Sequence, residues 1–304
     1  MRSSLILGAL TTAALGLGAP RAADALNFNL SYDPSVSSAP AGFVPAFQSA
    51  TQFYATHFSD PITVNLQVGW GEVANAPLGS NVLGESATNA QGPYTFGQVK
   101  AALSADAKTA SDATALAHLV NPAADSAFAV ATAQEKALSL LPGNASGSDG
   151  AVGFGSGVNW NFANTTPAPS QFDFVAVAEH EISQVMGRYS LWGMCTNCYS
   201  VLDLFRTGAG GTNFSIDGGS TVINTFNTNP AGDLGDWAGL TPDAYNAFAT
   251  AGVKLPVSPG DLTALDVIGY DPAPVPLPSA MGLLASGLVV LAGFAHRRRG
   301  LRMP

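Results

Sequence analysis

Charge is what this 304-residue chain has least of: 11% of its residues are Asp, Glu, Lys or Arg, less than half of the roughly 25% usual in soluble domains. With 47% hydrophobic residues beside so little charge, a polar disordered chain is excluded. Basic residues number twelve and the net charge is −9. That excludes the basic face on which nucleic-acid binding depends. Two cysteines allow a single disulfide at most. No internal repeat is present. Turn formers are plentiful instead: 33 Gly and 20 Pro argue against an all-helical bundle.

The scarce basic residues are unevenly placed. Arg2, Arg21, Arg297, Arg298, Arg299 and Arg302 lie at the ends, while residues 26–275 hold six Lys or Arg against twenty acidic residues. An acidic body with basic ends points to export. Residues 1–25 read as a signal peptide: Arg2, an apolar run over 5–19, and the small-x-small site Ala23-Asp24-Ala25. A first transmembrane helix is the weaker reading, because the run is short and broken by Gly and Thr.

The other end has three parts: a Pro-rich spacer, an apolar run over 279–295, and the cluster Arg297-Arg298-Arg299. Seventeen helical residues reach about 26 Å, just enough for a hydrocarbon layer of about 30 Å. The arginines would stay on the cytoplasmic side. Val275-Pro276-Leu277-Pro278-Ser279-Ala280, the run and the arginines together resemble a PEP-CTERM sorting signal of the VPLPA type. That resemblance implies a Gram-negative envelope, the secretion machinery and an exosortase as partners, transient membrane anchoring, and removal of the tail. Leu277 departs from the commonest form, which has Glu there.

Between the signals, residues 26–271 form one expected domain, with 272–304 as the sorting segment. Phe43, Phe47, Ala50, Tyr54 and Phe58 recur at helical spacing, so 41–58 predicts an amphipathic helix that Pro61 ends. Residues 62–68 alternate apolar and polar side chains, the period of a strand with one buried face. Ala-rich helices are expected around 96–108 and 126–141, and a Gly-rich strand over 151–162. A helix over 172–186 is capped by Ser170 with Asp173 and stopped by Gly187; another begins at Ser258-Pro259-Gly260-Asp261 and ends at Gly269. The mixture predicts a single α+β domain.

The chemistry concentrates in His180-Glu181-Ile182-Ser183-Gln184-Val185-Met186-Gly187-Arg188. In a His-Glu-x-x-His helix, residues four apart share a face, so two imidazoles grip one zinc while the Glu polarises its water. Here Gln184 stands where the second His belongs. Gly187 holds the place of the metzincin glycine, and Ser190 that of the third ligand.

The stretch resembles a group of metzincin-like metalloproteases of exported bacterial proteins, whose motif reads His-Glu-Ile-Ser/Thr-Glu-Val-Met-Gly-Arg. The resemblance continues through Leu202-Asp203-Leu204-Phe205-Arg206, Phe214-Ser215-Ile216-Asp217-Gly218-Gly219, Gly232-Asp233-Leu234-Gly235-Asp236-Trp237 and Leu265-Asp266-Val267-Ile268-Gly269-Tyr270. It implies a metzincin-like domain and a zinc endopeptidase acting on protein or peptide. His180 and Gln184 would be ligands and Glu181 the general base. Gln184 puts a neutral amide where that group has an anionic ligand, which weakens the expected hold on zinc.

Other residues remain open to two readings. Asp203 could supply a further ligand or a polar structural contact, and Glu179 is expected in solvent. His57 is expected to be packed or half-exposed, His118 exposed; both would have to converge on His180 for a three-His site. Cys195 and Cys198 are expected as a disulfide in an oxidising compartment. The turns at 217–219 and 233–236 offer oxygens to calcium, though ordinary turns explain them better. Two functions follow: an envelope-sorted zinc endopeptidase, or a non-catalytic surface or matrix protein keeping a protease fold. A membrane-anchored scaffold without that architecture is a third.

Overall fold

The computed structural model describes residues 26–274. The expected signal peptide, the apolar run and the terminal arginines lie outside them. Among the described residues no helix is long and apolar enough to cross a membrane. Their mixture is α+β, as the patterning predicts.

Seven strands matter for the site: β1 (Asn27–Tyr32), β2 (Thr63–Trp70), β3 (Gly84–Thr88), β4 (Ala90–Thr95), β5 (Ala127–Ala131), β6 (Gly150–Phe154) and β7 (Cys198–Tyr199). In β2 the buried Val64, Leu66 and Val68 alternate with half-buried polar residues, so the period-two pattern builds the expected half-buried face. The main sheet runs β1-β2-β6-β3. Its first three strands are parallel, and β3 closes one edge antiparallel to β6, with Ala87 opposite Ala151.

Among the described residues six α-helices accompany these strands: α1 (Phe43–His57), α2 (Phe96–Asp106), α3 (Ala110–His118), α4 (Thr132–Ala137), α5 (Phe174–Val185) and α6 (Pro259–Val267). The stripe expected on α1 is buried from Phe43 through Tyr54. Phe43 is the hub of an aromatic cluster, 4.9 Å from Trp70, 5.2 Å from Phe174 and 5.8 Å from Phe154 between ring centroids. These rings join α1, the sheet and the start of α5 in one core. Truncating a ring such as Phe174 to Ala costs about 3–5 kcal/mol in such a setting.

Three expectations are corrected. The strand expected over 151–162 is two separate ones: 150–154 form β6, and 160–161 pair in another sheet. Residues 126–141 are not one helix: 127–131 form β5, and only 132–137 turn helical. Phe128 and Val130 alternate with half-buried alanines, and pairing with β4 and β7 overrides the helical preference of alanine. The helix expected from residue 172 begins at Phe174, because 172–173 pair as strand with 160–161. Asp173, not Ser170, is the cap, accepting from Ala176 N. Helix α3 was not anticipated, although Thr109 and Asp112 form a complete capping box. The Ser258–Asp261 box of α6 is as expected.

Helix α5 is buried along all twelve residues and lies against α1 and β3. Two glycines make that approach possible. A Cβ on Gly84 would stand 2.9 Å from Val177 Cγ1, and one on Gly150 would stand 2.9 Å from Val185 Cγ1. The helix stops at Gly187, whose φ of +108° suits glycine.

Candidate functional site on the motif helix

Four residues apart on α5, His180 and Gln184 share a face, and their side chains meet: Nε2 of each lies 3.1 Å from the other. A loop from the C-terminal half closes over them. His180 Nδ1 donates to Ala244 O at 2.9 Å, since a carbonyl can only accept. Its Nε2 therefore faces Asp236 Oδ1, at 3.3 Å. The amide nitrogen of Gln184 donates to Asp236 Oδ1 at 3.3 Å and Asp233 Oδ2 at 3.4 Å. Ser86 Oγ, on β3, donates to the amide oxygen at 2.6 Å.

Arg188 completes the cluster from the turn after α5. Fully buried, it donates from Nη1 to Asp236 Oδ1 at 2.8 Å and from Nε to Ser183 Oγ at 2.7 Å. Its guanidinium carbon lies 4.2 Å from the centre of the Tyr245 ring. Burial alone would raise the Asp236 carboxyl, but His180 and Arg188 outweigh it and hold it down at about 2. Burial likewise pulls His180 down, yet the Asp236 carboxylate prevails and lifts it to about 9. Each group thus shifts the other toward its charged form.

Beside this cluster opens a cleft of about 400 Å³. His180, Glu181, Asn81 and Asn246 supply its polar groups; Val177, Phe172, Phe248 and Leu255 are among its apolar ones. Gly84 faces Glu181: a Cβ there would come 2.6 Å from Oε1. Burial, opposed by His180, raises the Glu181 carboxyl to about 7.

The remaining candidates go elsewhere. Asp203, weighed as a metal ligand, is held by five donors: Ser190 Oγ, Arg206 Nε, Leu191 N, and both the N and Oγ of Ser200. Its carboxylate organises the chain after α5, and Ser190 serves it rather than His180. Glu179 is buried, not solvated, and burial raises its carboxyl to about 8. His57 is exposed and stacks on Phe53 at 4.0 Å; His118 is exposed at the end of α3. Cys195 and Cys198 are joined as a disulfide, with Cys198 opposite Ala127 in β7. Asp217 is engaged in its own turn, accepting from Ser215 Oγ and Thr221 N.

Asp233 and Asp236 are the site residues that sequence reasoning passed over as turn formers. The available signal was Arg188. A buried guanidinium needs a carboxylate, and its own segment offers none beyond the helix.

Zinc takes an imidazole and carboxylates at about 2.0–2.2 Å in a tetrahedron. Here the point that His180, Asp233 and Asp236 share is filled by an amide NH₂ donating to both carboxylates. Arg188 neutralises Asp236 as well. Among the described residues no group of three or more His, Cys, Asp or Glu is arranged to hold a metal ion. The residues as they stand do not fit zinc. Compared with protein-family models, curated proteins and solved structures, the chain matches none.

Proposed function

We propose that this chain is an exported, envelope-sorted protein of metalloendopeptidase type that binds polypeptide in the His180–Glu181 cleft without hydrolysing it. The observation carrying this reading is the Gln184 amide nitrogen, within 3.1–3.4 Å of His180 Nε2, Asp236 and Asp233. A neutral amide in that place occupies the point that His180, Asp233 and Asp236 share and adds no negative charge to it. The cleft sets apolar side chains beside His180, Glu181 and two asparagines, a surface able to take a peptide side chain and its backbone.

Purified protein spanning residues 26–274 tests this. Elemental analysis should find zinc far below one per chain, and a labelled unfolded casein should bind without being cut. Phe248→Ala, which removes an exposed ring from the cleft wall, should weaken that binding while leaving the fold. Stoichiometric zinc together with casein cleavage would overturn the reading.

A second reading, an active zinc endopeptidase, draws on Glu181. Its carboxyl, raised to about 7, suits a general base working near neutral pH. Cleavage abolished by Glu181→Gln would favour it.

A further inference from the structure

We infer that the His180–Glu181 cleft receives the free amino terminus of a polypeptide whose first residue is apolar, with Glu181 accepting from its ammonium. The inference rests on the proposed reading, that the cleft binds polypeptide, and adds which part of the polypeptide enters.

Glu181 differs from the other carboxyls of the site. Asp236 accepts from Arg188 and Gln184, and Asp233 from Gln184 and the backbone N of Gly235. Glu181, with 6% of its surface exposed, accepts a hydrogen bond from no described residue. The two nearby bases are directed elsewhere. His180 turns Nδ1 to Ala244 O and Nε2 to Asp236. Arg188 turns Nε to Ser183 Oγ, and Nη1 to Asp236 and Gly235 O. A buried carboxyl without a donor is costly. Glu181 lines the cleft, so a ligand there is placed to supply one.

The kind of donor follows from charge. A neutral N–H would satisfy one lone pair of Glu181 and none of its charge, whereas an ammonium answers both.

The surface beside Glu181 selects what the ammonium is attached to. Val177 stands one helical turn earlier on α5, and residues so spaced share a face. The two side chains meet over Gly84: a Cβ there would stand 2.6 Å from Glu181 Oε1 and 2.9 Å from Val177 Cγ1. Phe172, Phe248 and Leu255 extend the apolar surface. An α-ammonium carries a side chain on the very next carbon, so it sets charge and apolar bulk side by side. A lysine ammonium ends a four-carbon stem, far from any branched group. At about 400 Å³ the cleft is near the small end of ligand sites, a size for a terminal residue or two.

Three peptide amides labelled at the carboxyl end test this against the full chain at pH 7 by fluorescence anisotropy. They are Leu-Ala-Ala, its N-acetyl form, and acetyl-Ala-Lys-Ala. Leu-Ala-Ala should bind at least about tenfold more tightly than either, the scale of one hydrogen bond to a charged group. Glu181→Gln, nearly the same in shape, should abolish that preference and leave affinity for the acetyl form unchanged. Glu181→Asp, the companion should the neutral variant not fold, keeps the charge and should keep part of the preference. Serine in place of the first leucine should weaken binding to the wild type.

Equal affinity for Leu-Ala-Ala and its acetyl form, with casein still bound, would overturn the inference and leave the proposed reading standing. Equal loss of both peptides in folded Glu181→Gln would do the same, since a merely structural Glu181 acts on both alike. The lysine peptide bound as tightly as Leu-Ala-Ala would overturn the amino terminus as the source of the ammonium. A wild-type chain that binds neither casein nor any of the peptides would defeat the reading and the inference together.

Discussion

The hydroxyls of Tyr54 and Tyr245 lie 2.9 Å apart in the core, and Tyr54 also donates to Glu179 O at 2.6 Å. This pair ties α1 to α5 and to the loop bearing Ala244. The same Tyr245 ring carries Arg188 on its face. The motif helix is thus braced from behind by two phenols.

Tyr54→Phe should therefore cost about 1–3 kcal/mol, the range for leaving buried groups without a hydrogen-bond partner. Urea unfolding would measure it. Tyr245→Phe should cost less, since Tyr54 would still donate to Glu179. The double variant should fall short of the sum, as expected for residues in contact.

Lys136 and Asp149 form a buried ion pair at 2.6 Å, with 2% of either side chain exposed. Asp149 Oδ2 accepts from Asn65 N too, and Lys136 Nζ reaches Thr63 O, so the pair fastens α4 to β2. Lys136→Met should destabilise by about 3–5 kcal/mol through the carboxylate left alone. Thermal and urea unfolding should both report the loss.

A pH dependence follows from the carboxylates gathered around Asp271. Burial first, then the Asp271 carboxylate, raises both Asp60 and Asp106 to about 7. Lys108, paired with Asp271, opposes this at Asp106. Between the ordinary carboxylate range and pH 7 the native state holds more protons than the unfolded one, so stability falls as pH rises through that window. The melting temperature should drop from pH 5.5 to pH 8. Asp60→Asn should flatten that slope; an unchanged slope would remove Asp60 from its cause.

Cys195 and Cys198 should resist alkylation until a reductant is added, as read by mass spectrometry of the unfolded protein. Free thiols before reduction would contradict the disulfide.

The parts of this fold legible in sequence are those whose signal is local. Phe43, Phe47, Ala50 and Tyr54 announce α1 by spacing, Val64, Leu66 and Val68 announce β2, and Ser258 with Asp261 announces the start of α6. Residues 127–131 read as helix because alanine carries no strand signal of its own; their state is set by β4 and β7, which no local pattern reveals. The same holds at the site. His180, Glu181 and Gln184 are adjacent on one helix and could be paired by counting. Asp233 and Asp236 reach them across about fifty residues, while Asp203, nearer in sequence, is committed to its five donors.

The last described residues are sewn to the end of α1. Phe58 and Pro272 form a bridge, Ala273 N donates to His57 O, and Asp271 N donates to Asp60 Oδ2 at 3.0 Å. This fastening bears on how the molecule would carry a mechanical load. A tether pulling on the chain beyond residue 274 would meet these few hydrogen bonds before any part of the core. They would open one after another, like a zip, and the first slack would come from the stretch after α6 while the cleft stayed shut.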